Sequence, residues 1–334
     1  MEDLGSKRFV LAGDVGGTKT NLGIAGLEDG RISLLVMETF PSREADSLKQ
    51  IIGRFLEKQH LTVDAACIGI AGPVIAGVSR TTNLPWIVAE QDIRKRFNLS
   101  HVRLINDLAA TAASIPLLSR DELCRLTEGE PEPEGNAGLM APGTGLGIAL
   151  MVFAEGRLHP VPSEGGHVDF APKNDREMDL LKHLQAKMGR VSVERLASGP
   201  GLFTIYEWLK STRSSLEPPW LSDRLQKEDP SKVISETGLA HRDPACEEAL
   251  DMFVSIIGSA AGNLALTGLT TGGMYLGGGI APKILPKLKE PVFLNSFTDK
   301  GRFTDLMKRI PLTVILNDKA ALLGAARCAF QMGR

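Results

Sequence analysis

The chain has 334 residues, 43% of them hydrophobic, enough for roughly two domains with a core each. Lys plus Arg number 38 and Asp plus Glu 40, a formal net charge of −2 that gives no electrostatic case for nucleic acid or an anionic membrane as partner. The four cysteines, Cys67, Cys124, Cys246 and Cys328, form no C-x-x-C pair, so neither a zinc knuckle nor a disulfide framework is indicated. The N-terminal Met-Glu-Asp-Leu-Gly-Ser-Lys-Arg lacks the apolar core of a signal peptide, and no run approaches about 18 uninterrupted apolar residues. A cytoplasmic location without membrane insertion is expected.

The first patterned stretch is Phe9 to Ala25. One apolar run stops at Asp14, the chain crosses Gly16 and Gly17, and a second run follows, which predicts a β-hairpin. Such a turn exposes backbone N–H groups; with the Thr18 hydroxyl and the Asp14 carboxylate it has the parts to hold phosphate oxygens and a hydrated Mg²⁺. An ordinary Gly-rich hairpin has the same appearance. No Gly-Lys-Ser/Thr follows, and the next element is a strand, so this is neither a P-loop nor a dinucleotide-binding fingerprint.

A third strand is predicted over 31–40, and Leu48, Ile51, Ile52, Phe55 and Leu56 fall at helical spacing. A strand over 65–71, a loop holding Asn83 and Pro85, a short helix over 89–97 and a strand over 102–105 come next. That strand runs into Asn106-Asp107 before an apolar helix over 108–118, completing a βββαβαβα order. Polar residues at the carboxyl end of such a strand face a ligand crevice, although an Asp there also serves as a helix cap.

Thr127 to Gly135 reads as an exposed loop marking a change of domain. Beyond it, Leu139 to Val152 repeats the opening theme of strand, Gly/Thr turn (Gly143, Thr144, Gly145) and strand, without the aspartate. Glu164 and His167 stand three apart across two glycines in a loop. Glu194 fits a capping-box position ahead of Gly199-Pro200-Gly201. Helices are predicted over 176–187, 246–266 and 319–331, a strand over 312–316, and over 274–281 a strand that breaks into three glycines before a helix near Pro282, with 211–238 as a peripheral insertion of loops and short helices. The glycines Gly277, Gly278 and Gly279 make either a tight strand-to-helix turn or a flat surface on which an adenine ring could lie.

Taken in order, Gly13-Asp14-Val15-Gly16-Gly17-Thr18, Asn106-Asp107, Gly143 to Gly147, Glu164 to His167, Glu194 and Gly277 to Gly279 resemble the motifs of the bacterial glucokinase family. The resemblance runs from Val10 to about Leu323. It implies an α/β, two-domain actin-like (ribonuclease-H-like) fold with a duplicated βββαβαβα core and an interdomain cleft. The small domain would be 1–117 plus 318–334 and the large domain 118–317.

The resemblance also implies ATP-dependent phosphorylation of D-glucose to glucose 6-phosphate, at the entry to glycolysis, by a homodimer. Asp107 would be the general base on the 6-hydroxyl, with Asn106, Glu164, His167 and Glu194, and by a weaker carry-over Asn83, holding the sugar. Gly13 to Thr18 and Gly143 to Gly145 would embrace the phosphates of ATP, Gly277 to Gly279 the nucleotide, and Asp14 the water shell of Mg²⁺. Lys19 stands where many members carry an uncharged polar residue. The zinc-binding cysteine and histidine cluster of the related repressor and open-reading-frame kinase family is absent.

Mannose or glucosamine as substrate, a sugar-sensing regulator and an actin- or chaperone-like ATPase are the competing readings. A regulator would need a DNA-binding module ahead of the hairpin, where only eight residues precede Phe9, and an ATPase gives the Glu164, His167 and Glu194 set no evident use.

Overall fold

The computed structural model describes residues 8–81, 84–212 and 217–332, and these divide into two units. The first unit holds the chain through Glu122, His159–Pro162 and Asn317 onward; the second holds Leu123–Leu158 and Ser163–Leu316.

The first unit is built on strands β1 (Phe9–Val15), β2 (Lys19–Glu28), β3 (Arg31–Pro41), β4 (Ala65–Ile70) and β8 (His101–Asn106), with β5 (Val74–Ile75), β6 (Val78–Arg80) and β7 (Ile87–Ala89) in a small separate sheet. The main sheet runs β3-β2-β1-β4-β8. Strands β1, β2 and β3 are antiparallel neighbours, while β1, β4 and β8 are parallel.

Residues one apart in a strand point to opposite faces, and here each face has its own core. Leu11, Val15, Leu22, Ile24, Ile68 and Ile70 pack with Leu48, Ile51, Ile52 and Phe55 of the helix Leu48–Glu57. On the other face Val10, Ala12, Ala25, Ala65 and Cys67 meet Leu322, Ala325, Ala326 and Ala329 of the helix Ala320–Gln331. Burial on both faces explains why β1 and β4 read as unbroken apolar runs, whereas edge strand β3 alternates.

The second face is lined with small side chains because two helices come close there. A Cβ built on Gly324 would lie 1.7 Å from the Ala110 carbonyl oxygen in the helix Asp107–Ser114. The obstacle is backbone, which no rotamer change can relieve. Gly324→Ala is therefore expected to cost at least about 2 kcal/mol by forcing the helices apart, read as a lower urea midpoint at unchanged slope; a wild-type midpoint would refute the close approach.

On the same face Cys67 and Cys328, 261 positions apart by number (328 − 67), come within hydrogen-bonding reach. The shared hydrogen bond and burial push the Cys67 thiol up, and the same bond pulls Cys328 down. The cysteines are free thiols.

The second unit repeats the plan. Strands β9 (Leu123–Arg125), β10 (Ala137–Pro142), β11 (Leu146–Ala154), β13 (Gly273–Leu276) and β14 (Leu312–Ile315) lie in a sheet ordered β12-β11-β10-β13-β14-β9, whose edge strand β12 (Arg157–Ser163) has its residues His159–Pro162 counted with the first unit. Apart from the added antiparallel edge β9, this is the strand order of the first unit, with the β10–β11 turn matching the β1–β2 turn. The duplicated α/β core expected from the sequence is present.

Packed against this sheet is the helix Pro244–Gly268, started by Asp243, whose carboxylate accepts from Ala245 N and Cys246 N, both at 2.9 Å, and by Pro244 at its first position. By length and composition it could cross a membrane, but Leu250, Phe253, Val254 and Ile257 are buried in the core of this unit.

Two stretches differ from the sequence expectation. The helix after Asn106 stops at Ser114 and gives way to a 3₁₀ turn over Ile115–Leu117, because Pro116 has no N–H to continue the ladder. Within 211–238, Pro219–Lys227 and Pro230–Leu239 are helices, with Leu221, Val233 and Ile234 fully buried. Polar residues dilute the apolar period there, so a part of the core reads as a peripheral insertion.

Candidate active site

In the first unit, the sequence-selected residues fall at the carboxyl end of the parallel strands, where an α/β sheet presents its ligand-facing groups. Gly13 and Val15 are buried residues of β1. The turn proper is Gly16, Gly17 and Thr18, closed by Gly16 N donating to the Lys19 carbonyl at 2.9 Å.

Its carbonyls are held from behind by Ser42, a residue that sequence reasoning missed. Ser42 Oγ donates to Gly16 O at 2.9 Å and Ser42 N to Thr18 O at 3.0 Å, while Thr20 Oγ1 lies 2.9 Å from the same hydroxyl. In a trans peptide the N–H points opposite to its carbonyl. Anchoring those two carbonyls therefore turns the N–H groups of Gly17 and Lys19 away from Ser42. Neither of these N–H groups is then directed at the Ser42 side of the turn.

Asp14 stands beside this turn, paired across the ladder with Asn21, whose Nδ2 donates to Asp14 Oδ2 at 3.2 Å; Thr39 Oγ1 fixes Asn21 by donating to its Oδ1 at 2.8 Å. Burial pushes the Asp14 carboxyl above its ordinary value, and the Asn21 hydrogen bond offsets only part of the rise. A half-buried carboxylate of this kind gains from a nearby cation. Lys19 is exposed at the start of β2.

Asn106 ends β8 level with Val15, two strand spacings away or about 10 Å across β4. The structure resolves which residue caps the following helix. Asn106 Oδ1 accepts from Leu108 N at 2.9 Å and Ala109 N at 3.3 Å, and its Nδ2 donates to the Gly72 carbonyl at 3.4 Å. Asp107 is thus the first helical residue, its Oδ1 also 2.9 Å from Leu108 N, and it is half-buried. Asn83 lies outside the described residues.

In the second unit the β10–β11 turn, Gly143 to Gly145, is closed by Gly143 N donating to Gly145 O at 2.8 Å, and the Gly143 carbonyl accepts from Gly199 N at 2.8 Å, at the start of the helix Gly199–Thr212. Alongside it, Gly277 N donates to Met140 O at 2.8 Å as β13 ends. Gly278 needs to be glycine twice over: its φ is +75°, and a Cβ would stand 2.7 Å from the Pro142 carbonyl oxygen. Gly279 faces open space, so the exposed strip 278–279 has no side chain to obstruct a flat ring.

Glu164 and His167 share a 3₁₀ turn beside β11, His167 N donating to Glu164 O at 3.0 Å; both side chains are exposed. Glu194, on the 3₁₀ turn Val193–Arg195, makes no cap. Its Oε2 accepts from Leu146 N at 2.9 Å on the glycine turn's far side, and its Oε1 lies 3.8 Å from His167 Nδ1. The structure therefore brings Gly143 to Gly145, Gly277 to Gly279, His167 and Glu194 into one neighbourhood.

Two units of one topology, each with a glycine turn at the head of its sheet, define the actin-like two-domain fold of the nucleotide-dependent sugar kinases. Within that class the chain belongs to the glucokinase family: the Glucokinase family model matches residues 11–332. It is 38% identical to the Glucokinase of Nostoc punctiforme over 97% of this chain and 99% of that one. Among solved structures it is similar to a glucokinase from an Antarctic psychrotroph, at 29% identity and a TM-score of 0.82, covering 96% of this chain and 98% of that chain. It shares its fold with a ROK family glucokinase from Streptomyces griseus, determined with glucose and AMPPNP, at 19% identity and a TM-score of 0.62, covering 97% and 99%.

Proposed function

We propose that this protein transfers the γ-phosphoryl group of ATP to the 6-hydroxyl of D-glucose, giving glucose 6-phosphate and ADP. The observation that carries the reading is Glu194, whose carboxylate stands on the glycine turn through Leu146 N and 3.8 Å from His167, so that sugar-type and phosphate-type groups adjoin in one unit of a glucokinase-family chain.

Phosphoryl transfer asks little covalent chemistry of a protein: it needs the acceptor hydroxyl positioned, charge neutralised and a base for the departing proton. Asp107 is the base, its carboxylate taking the proton of the 6-hydroxyl as the oxygen attacks. Asn106, Glu164, His167 and Glu194 match the remaining hydroxyls, because each polar group a sugar buries requires a partner. The turns Gly16 to Thr18 and Gly143 to Gly145 receive phosphate oxygens on backbone N–H groups, and Gly278 and Gly279 leave room for the adenine.

Among the described residues no group of three or more His, Cys, Asp or Glu could enclose a metal ion. The lone Asp14 carboxylate suits Mg²⁺ all the same, since that ion keeps most of its water and takes one or two carboxylates plus substrate phosphates. When bound, Mg²⁺ supplies charge neutralisation at the phosphates. A cytoplasmic homodimer acting at the entry to glycolysis completes the proposal and rests on family membership.

A coupled assay of glucose, mannose and glucosamine against ATP, ADP and polyphosphate tests it. Nucleotide turnover is expected to require added hexose, with the highest kcat/KM for glucose and ATP. ATP turnover of similar size without sugar would overturn the kinase assignment.

A further inference from the structure

We propose that Glu194 is also a positioning residue for the nucleotide turn, so that glucose and ATP affinities are linked through one side chain. The inference rests on the reading of Glu194 as a sugar ligand and of the β10–β11 turn as a phosphate turn. It adds a dependence that neither role alone contains.

One carboxylate oxygen is hydrogen-bonded and the other faces His167 at 3.8 Å, beyond hydrogen-bond distance. Oε2 accepts from Leu146 N at 2.9 Å, and the Leu146 side chain is locked in the core, so this N–H offers a fixed anchor. Oε1 is the oxygen turned toward His167. The backbone behind Glu194 is tied to both places as well. Val193 N donates to Val168 O at 2.9 Å, next to the His167 turn, and Gly199 N donates to Gly143 O at 2.8 Å in the glycine turn.

The segment 193–199 is thus a splint between sugar loop and phosphate turn, and Glu194 is its side-chain cross-brace. Gly145 fits against that brace: a Cβ there would lie 2.6 Å from Glu194 Oε2. A carboxylate pulled toward sugar hydroxyls or released from them shifts its hold on Leu146 N, and linkage makes the effect reciprocal.

Three variants separate the two jobs, with equilibrium binding of glucose and of MgATP measured singly and a thermal melt to confirm folding. Glu194→Gln keeps an oxygen for Leu146 N but loses the charge; it is expected to weaken glucose about tenfold or more and leave MgATP affinity as in the wild type. Glu194→Asp is one methylene shorter and cannot span both partners, so glucose and MgATP are both expected to weaken, each by about tenfold. Gly145→Ala pushes the carboxylate from the turn side and is expected to weaken glucose although Gly145 has no part in sugar binding.

Loss of glucose affinity in both glutamate variants, with wild-type MgATP binding by Glu194→Asp, would overturn the link while sparing the sugar-ligand reading. Wild-type glucose binding in all three variants would overturn the sugar-ligand reading and the link with it. Should Gly145→Ala not fold, the contrast between Asp and Gln at position 194 decides alone.

Discussion

Asp107→Asn is expected to lower kcat by roughly 10²- to 10⁴-fold, the range general-base catalysis supplies, while the glucose dissociation constant stays close to the wild-type value. The substitution keeps the shape and removes the negative charge and with it the ability to take a proton. The fold should not register it, because the helix Asp107–Ser114 is capped by Asn106, whose Oδ1 holds Leu108 N and Ala109 N. An asparagine at position 107 still offers Leu108 N an oxygen where the aspartate does at 2.9 Å. Equal falls in kcat and kcat/KM with an unchanged melting temperature would mark an interaction made in the transition state. An unchanged kcat would reduce Asp107 to a residue of the helix start.

The division of labour between Asn106 and Asp107 also shows where sequence reading stops. Their place at the end of a strand is legible, since an apolar run gives way to two polar residues and then to a helical period. Which of the pair caps the helix depends on a backbone angle at Asn106, and local pattern is silent on it. The β1–β2 hairpin and its echo at β10–β11 are legible for the same local reason: both lie within short stretches of alternating chemistry.

What holds those turns is not local. Ser42 reaches Gly16 across 26 positions and Glu194 reaches Leu146 across 48, and each is a single polar residue with no periodicity to betray its partner. Gly13 and Val15, read with the phosphate turn, are buried strand residues of β1. Conversely, Leu221, Val233 and Ile234 belong to the core of the second unit but sit in a segment too polar to announce it.

Asp14→Asn is expected to act on activity and stability in opposite directions. Burial holds the Asp14 carboxyl above the ordinary aspartate value of about 3.9. A carboxyl raised in the folded state favours folding while protonated, and that contribution is lost as pH rises from the unfolded value through the folded one. At neutral pH the wild-type fold carries a carboxylate in an unfavourable setting, which the neutral amide removes while its oxygen still accepts from Asn21 Nδ2. Melting temperatures measured without ligand should place Asp14→Asn at or above the wild type at pH 7, with the difference shrinking as pH falls toward about 4. On the proposed role of Asp14 beside Mg²⁺, activity should fall; roughly 10- to 100-fold in kcat/KM for MgATP is the scale of losing a group that orients a metal's surroundings. Adding MgATP should then raise the melting temperature of the wild type more than that of the variant, since only the wild type exchanges a penalised charge for a paired one. A variant less stable than the wild type at pH 7, yet equally stabilised by MgATP, would show that Asp14 is a structural partner of Asn21 and no part of the nucleotide site.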